Sequence, residues 1–379
     1  MTVTIAGDAL EAQVATLSKP TWPRVDRGRI PSLDGLRAIS ILFVIIGHSA
    51  ETMPRIDGAA GSLFHGLILM LGNGGLGVTV FFVLSGFLIT TLLLKEIKKT
   101  GELSIRAFYI RRAFRIWPAF YLMVAVVVIL GIIKAIPLTV GEVVSASLFF
   151  WNYYPHGATW FLGHSWSLSV EEQFYVIWPL LLKFLGPRRG TWFAAAVIVI
   201  EPAIRVANYW LVPSMRGHIG IMGHTRADSL MIGALVALLY GKPRFENFVE
   251  RLFTWRLPLA GAAFLLFLNP ILEEKAHGAY MLPVGILLQN CIIALIMLWA
   301  IQNSDKAFGR VLNSRLAIHV GLISYSLYLW QQIFLTTQNK SFTGVFPMNL
   351  LCTLAVAECS YWFVEKSFLA MRKRFVPDA

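Results

Sequence analysis

Residues 58 to 94 contain no Asp, Glu, Lys or Arg. A bilayer crossing needs roughly 17–25 apolar residues, so this run is long enough for two helices. Gly72-Asn73-Gly74-Gly75-Leu76-Gly77 interrupts it. A second full crossing here would carry the basic stretch at residues 95–115 to the wrong side of the membrane. We therefore expect residues 62–71 to form a half-helix or interfacial segment leading into one crossing. Such breaks are tolerated where they line a cavity in the protein.

The rest of the chain has the same character. Apolar residues make up 56% of the 379 and charged residues only 14%, about half the charged share of a soluble domain. The expected fold class is an all-α polytopic membrane protein with about ten transmembrane helices, a broken second helix and a partly re-entrant outer segment. The crossings are placed near residues 33–50, 76–94, 117–133, 168–185, 191–211, 226–241, 257–271, 281–301, 318–336 and 347–364. Residues 1–30 and 367–379 are then tails around a membrane domain at 31–366.

The net charge of +12 would suggest nucleic-acid binding in a soluble protein. Here it is read first as topology, because basic residues collect on the cytoplasmic side. In the ten-crossing scheme, 26 of the 33 Lys and Arg residues fall in the even-numbered gaps, the two tails or the ends of the crossings that adjoin them. Both termini are therefore expected to be cytoplasmic, in a cell (inner) membrane, with no nucleic-acid partner. Residues 1–30 have no apolar core of the signal-peptide kind, so no cleavable leader is expected. Cys291, Cys352 and Cys359 lie in apolar segments without a C-x-x-C pair, so neither a disulfide framework nor a metal site is expected.

Four constellations carry candidate chemistry. Arg37 and His48 are eleven residues apart, which on a helix returns to within about 20° of the same face about 16 Å further along. Ser32 is a candidate N-cap for that helix. His48 is either a hydrogen-bonded interhelical contact or a general base or nucleophile, since ionisable residues inside a membrane usually face an interior cavity. Arg111, Arg112 and Arg115 belong to a loop with seven basic residues, and Arg112 and Arg115 share a helix face. Such a cluster suits phosphate through paired, charge-assisted hydrogen bonds, or serves only topology and lipid headgroups. Glu171 and Glu172 open the fourth crossing, and being about 100° apart only one can face a given cavity. A carboxylate there can hold a histidine in one tautomer. Glu201 with Arg205, and Arg226 with Asp228, are read as structural ion pairs. Finally, residues 143–170 are uncharged and rich in aromatics, Trp151, Trp160 and Trp166 among them. They form either an aromatic belt or a vestibule for stacking an acceptor.

Taken together, these elements resemble the acyltransferase-3 family of bacterial integral-membrane O-acyltransferases, from about residue 31 to residue 365. The carriers begin with Leu33-Asp34-Gly35-Leu36-Arg37-Ala38 followed by His48, then Phe81-Phe82-Val83-Leu84-Ser85-Gly86-Phe87-Leu88-Ile89. Arg112 and Arg115 with Pro118 come next, then Trp166-Ser167-Leu168, Glu171 and Gln173-Phe174-Tyr175. Arg226, Asp228-Ser229-Leu230 and Ser324-Tyr325-Ser326-Leu327-Tyr328-Leu329-Trp330 complete the match. The chain departs from the family at Gln331, where His is common, and at Ser367, where Pro often follows Glu-Lys. It is expected to lack the extracytoplasmic hydrolase-like extension of some members.

The resemblance implies transfer of an acyl group, usually acetyl, from acyl-coenzyme A to a hydroxyl, often on a cell-surface glycan. No permanently bound cofactor is implied; acyl-coenzyme A is the donor substrate. Arg37, Arg111, Arg112 and Arg115 are then expected to meet the coenzyme's phosphates. His48 would act as base, with Glu171 or Glu172 orienting it, and Ser85 or Asn73 is a candidate oxyanion donor. Acylation of a small metabolite, or a transporter built from the same broken and charged helices, remain the alternatives.

Overall fold

Every regular element among the described residues of the computed structural model (30–54, 57–154, 159–254 and 256–376) is helical. The basic residues of the N-terminal tail up to Arg29 lie outside that range. Helix α1 is Leu33–Ala50, α2 is Ala59–Leu71 and α3 is Gly74–Thr100. Asn73 stands between α2 and α3 and caps α3, its side chain accepting from the Leu76 amide at 2.8 Å. Helix α4 is Ile105–Ile132, entered at Ser104, and a short α5 is Val140–Ser147. Ser32 does sit at the start of α1, but its hydroxyl donates to the Ala300 carbonyl at 2.9 Å instead of capping the helix.

Helix α6 is Ser165–Leu211, and it is not one rod. Gly186 has φ 71° and Pro187 follows it, a left-handed residue suited to glycine and then a proline without an amide hydrogen. In a straight helix Trp178 and Phe193 would be about 22 Å apart. Their ring centroids are 6.5 Å apart and stacked, so the two halves fold back on each other. Helix α7 is Ala227–Leu239 and α8 is Pro243–Thr254. The run Leu257–Gln302, α9, turns at His277, φ 45°. Tyr280 reaches back to donate to Asn269 at 2.9 Å, again a helical hairpin. Helix α10 is Ala307–Leu312 and α11 is Arg315–Phe334; α12, Met348–Cys359, passes through a wider turn at Ser360–Glu365 into α13, Lys366–Arg372.

Among the described residues, five helical runs are long and apolar enough to cross a membrane. Two of them are the folded-back α6 and α9 runs. Large apolar side chains also stand exposed on the outside, Phe184 at 77%, Trp192 at 74% and Phe363 at 76%. That many bare aromatic rings need a lipid solvent.

Small residues set the closest helix crossings, as expected where lipid supplies no hydrophobic drive between helices. A Cβ on Gly86 of α3 would fall 1.8 Å from the Leu230 carbonyl oxygen of α7. One on Gly233 would fall 2.0 Å from that of Val83. The two helices thus touch backbone to backbone from both sides. Gly47 of α1 meets the Gly72 carbonyl in the same way, which fixes the end of α2 against the His48 end of α1.

The charged residues of α6 and α7 are paired across helices, not along them. Arg205 binds Asp228 at 2.7 Å with both side chains wholly buried, and also donates to the Leu282 carbonyl at 2.8 Å. Glu201 accepts from the amides of Ala227 and Asp228, at the start of α7. Arg226 donates to Thr79 of α3 at 2.8 Å. Neither pair expected from sequence spacing forms: Arg205 takes Asp228, while Glu201 turns to backbone amides and Arg226 to a hydroxyl. These bonds form a network that clamps α3, α6, α7 and α9, although Arg205 Nη2 and Arg226 Nε keep no hydrogen-bond partner.

Candidate functional site

A cavity of about 660 Å³ opens among α1, α3, α4, α6 and α11, within the usual range for small-molecule sites. Helix periodicity brings its chemistry together. Arg37 comes from α1, Ser85 from α3, Arg112 and Arg115 from one face of α4, and Glu171, Glu172 and Tyr175 from one face of α6. Arg37, Arg112 and Arg115 form no hydrogen bond or salt bridge to another described residue. Arg112 lies over the rings of Tyr175 and Phe108, at 5.5 and 5.7 Å from their centroids. Three cations are thus held around one cavity with no ion-pair or hydrogen-bond partner among the described residues.

Arg111 lines the same cavity but differs from the other three. It is bound to Glu96 at 2.6 Å, and Glu96 also accepts from the Ser104 amide at 3.0 Å. This pair ties the start of α4 to the end of α3. Lys95 and Lys99 also line the cavity. Their i,i+4 spacing is visible in the sequence, and it is the signal that marks them as one face.

The carboxylates are placed differently from expectation: the spacing predicts only one of them at a given cavity, yet both line this one, because Leu168, Glu171, Glu172 and Tyr175 form one broad stripe of α6. Glu171 accepts a hydrogen bond from Ser85 at 2.5 Å, and Glu172 has a buried oxygen with no partner. Neither is hydrogen-bonded to His48. The group on His48 is Gln331, its Oε1 2.6 Å from Nδ1. The Gln331 amide nitrogen donates to Gln332 Oε1 at 3.3 Å, which turns Oε1 toward the ring. His48 Nδ1 then carries the proton, and Nε2 presents a lone pair. The departure from the family pattern at Gln331 therefore falls on the residue that orients the histidine. A neutral amide fixes the tautomer but adds no counter-charge.

His48 is not among the residues lining the cavity. It stands at the far end of α1 from Arg37, in the last helical turn. Trp160 packs edge-on against it, centroids 5.0 Å apart. Two hydrogen bonds lock that indole: its Nε1 donates to the Gln332 carbonyl at 2.9 Å, and Gln332 Nε2 donates to the Trp160 carbonyl at 2.6 Å. Trp166 packs on Phe82, centroids 5.9 Å apart, and Trp151 is half-buried with its indole nitrogen unpartnered. Of the three tryptophans, only Trp160 touches His48.

The chain leading to Trp160 is pinned from α5. Glu142 closes a capping box with Thr139 and accepts from the Thr159 amide. Burial works against its charge, but the hydrogen bonds from Thr159 and Thr139 outweigh that and hold the carboxyl below its usual range. Ser85 and Asn73 are both engaged, the first with Glu171 and the second as the cap of α3, and only Ser85 lines the cavity.

The family model described as an acyltransferase domain matches residues 30–362. The chain belongs to the acyltransferase-3 family. Its similarity extends to the peptidoglycan O-acetyltransferase OatA of Listeria monocytogenes, 28% identical over 372 residues, covering 90% of this chain and 56% of that protein. A putative O-acetyltransferase of Staphylococcus aureus strain COL is 27% identical, with 89% and 57% covered. The O-acetyltransferase OatA of Staphylococcus aureus strain NCTC 8325 is also 27% identical, with 89% and 56% covered. The chain thus spans a little over half the length of these relatives. No solved structure matches it. Family membership and the apolar helices together make it a multi-pass membrane protein.

Proposed function

We propose that the protein is an O-acyltransferase of the cell membrane. It moves an acyl group, acetyl in the first instance, from acyl-coenzyme A to a hydroxyl of a surface or lipid-linked glycan. The observation that carries this reading is the convergence of Arg37, Arg112 and Arg115, none ion-paired to a described residue, on one cavity, with His48 further along the helix that carries Arg37. In the ten-crossing topology with both termini cytoplasmic, the arginines face the compartment that holds coenzyme A. Guanidinium groups bind its phosphates through paired hydrogen bonds. The thin pantetheine arm then runs along the cavity toward Ser167 and Tyr328, and the thioester comes up to His48 from below while the acceptor arrives beside Trp160.

His48 Nε2 takes the proton of the acceptor hydroxyl. The freed oxygen attacks the acyl carbon, the C–S bond breaks with its electron pair on sulfur, and the proton on His48 passes to the thiolate. Gln331 keeps the ring in the tautomer this requires. General base catalysis of this kind contributes about 10²–10⁴ in rate. Names of relatives support acetyl as the group and a glycan as the acceptor. Purified protein is to be incubated with acetyl-coenzyme A and a panel of glycan and small-molecule hydroxyl acceptors, with free thiol followed by colorimetry and the product by mass spectrometry. Acceptor-dependent thiol release with an added acetyl mass on a glycan is expected. Acetylation confined to a small metabolite would replace the glycan, and no release with any acceptor would reject acyl transfer.

A further inference from the structure

His164 is buried to 4% exposure, and neither of its ring nitrogens makes a hydrogen bond of good geometry; the neighbouring Gln332 side chain is given to the Trp160 carbonyl and to Gln331. Leaving a buried polar atom without a partner is costly, so a ring with both nitrogens bare is expected to meet something that is present only during function. Its position says what. The ring packs edge-on against Tyr328, centroids 5.5 Å apart. The Tyr328 hydroxyl is 2.6 Å from that of Ser167, and both residues line the cavity. Trp160, in the turn just before His164, packs edge-on against His48. The imidazole therefore stands behind the inner wall of the cavity, four residues along the chain from the tryptophan that packs on the base.

We propose that His164 is a catalytic residue that donates a hydrogen bond to the acyl carbonyl oxygen of the donor. This inference rests on the acyl-transfer reading above. As the acceptor oxygen bonds to the acyl carbon, the carbonyl π pair moves onto oxygen, and an imidazole N–H aimed at that oxygen stabilises the charge. On collapse the pair returns, the C–S bond breaks and the sulfur takes the proton from His48. The donor role is open for His164 to fill, because the single O–H of Ser85 is already given to Glu171. A donor fixed in an apolar, water-poor site is worth about 10²–10³ in kcat.

The test uses the full-length protein in lipid nanodiscs. Two non-reacting probes are titrated: coenzyme A, and carboxymethyl-coenzyme A, whose carboxylate stands in for the oxyanion. Wild type is expected to prefer carboxymethyl-coenzyme A by about tenfold, the worth of one charge-assisted hydrogen bond. His164→Phe, which keeps the ring contact with Tyr328, is expected to bind coenzyme A as before and to lose that preference. Its kcat should fall by about 10²–10³ with little change in KM for acetyl-coenzyme A. His164→Leu gives the same reading if the larger ring prevents folding. An unchanged preference and a kcat within about threefold of wild type, in a variant that still binds coenzyme A, would overturn the assignment. If wild type binds neither probe, the coenzyme A reading itself fails and takes this inference with it.

Discussion

Nδ1 of His48 lies 2.6 Å from Oε1 of Gln331, across 283 residues of sequence. That contact joins α1 to α11 and decides which nitrogen of His48 is free. It also predicts a specific phenotype. Gln331→Ala should leave acyl-coenzyme A affinity unchanged and lower kcat by about tenfold or more, since a misoriented or wrong-tautomer histidine is a poor base. Gln331→Glu should restore activity and move the acid limb of the rate profile to higher pH, because a carboxylate stabilises the imidazolium. Steady-state kinetics across pH 5–9 check both. Full activity in Gln331→Ala would remove the orienting role.

The arginines should separate into two kinds. Arg37→Ala, Arg112→Ala and Arg115→Ala are each expected to weaken acyl-coenzyme A binding by about 10- to 100-fold, the worth of hydrogen bonds to a charged group, with a flatter dependence on salt. Arg111→Ala should affect binding much less, because Arg111 is already bound to Glu96, and should instead lower thermal stability. Isothermal titration at two ionic strengths distinguishes them. A uniform effect of all four would return the cluster to a topology role.

Gly86 and Gly233 are predicted to be intolerant of any side chain. A methyl group at either meets a carbonyl oxygen of the opposing helix at 1.8 or 2.0 Å, so α3 and α7 would have to move apart. Forced overpacking of this kind costs about 1–3 kcal/mol or more. Gly86→Ala and Gly233→Ala should each lower the melting temperature in detergent, and the double variant should not be recovered folded. An unshifted melting curve would contradict the backbone contact.

Glu142 predicts a pH dependence. Its carboxyl is held below the usual range in the folded protein. The stability it contributes is therefore present above the ordinary carboxylate value of about 4.3 and is lost as pH falls through the folded value. Glu142→Gln should cost about 1–3 kcal/mol at neutral pH, loosen Trp160 through Thr159 and reduce turnover. The stability gap to wild type should close below about pH 4. Thermal unfolding measured from pH 3 to 7 reads this directly, and a gap independent of pH would count against it.

The helices and the arginine face were legible because each rests on short-range rules. Charge-free runs mark apolar helices, eleven residues separate Arg37 from His48, and three separate Arg112 from Arg115. The crossings placed near 168–185 and 191–211 correspond to the two halves of α6, which fold back on each other at Gly186-Pro187. What the sequence hid is long-range. Gln331 and Gln332 are neutral polar residues on an apolar helix, and nothing in their spacing ties them to His48 or Trp160. Glu171 looked like the partner for a histidine, yet the helix phase that brings it to Ser85 is set by packing of α3 on α6. The exchange of Arg205 and Asp228 partners has the same origin: two charges four apart on one helix are available to each other, and the neighbouring helix offered better geometry.

His48 is the residue proposed as the base of the acyl transfer. The measurement that tests it most directly is acceptor-dependent transfer of labelled acetyl from acetyl-coenzyme A by purified His48→Ala protein, alongside its affinity for coenzyme A. Wild-type affinity with transfer reduced by at least about 100-fold is predicted. Near-wild-type transfer by the folded variant would contradict the account.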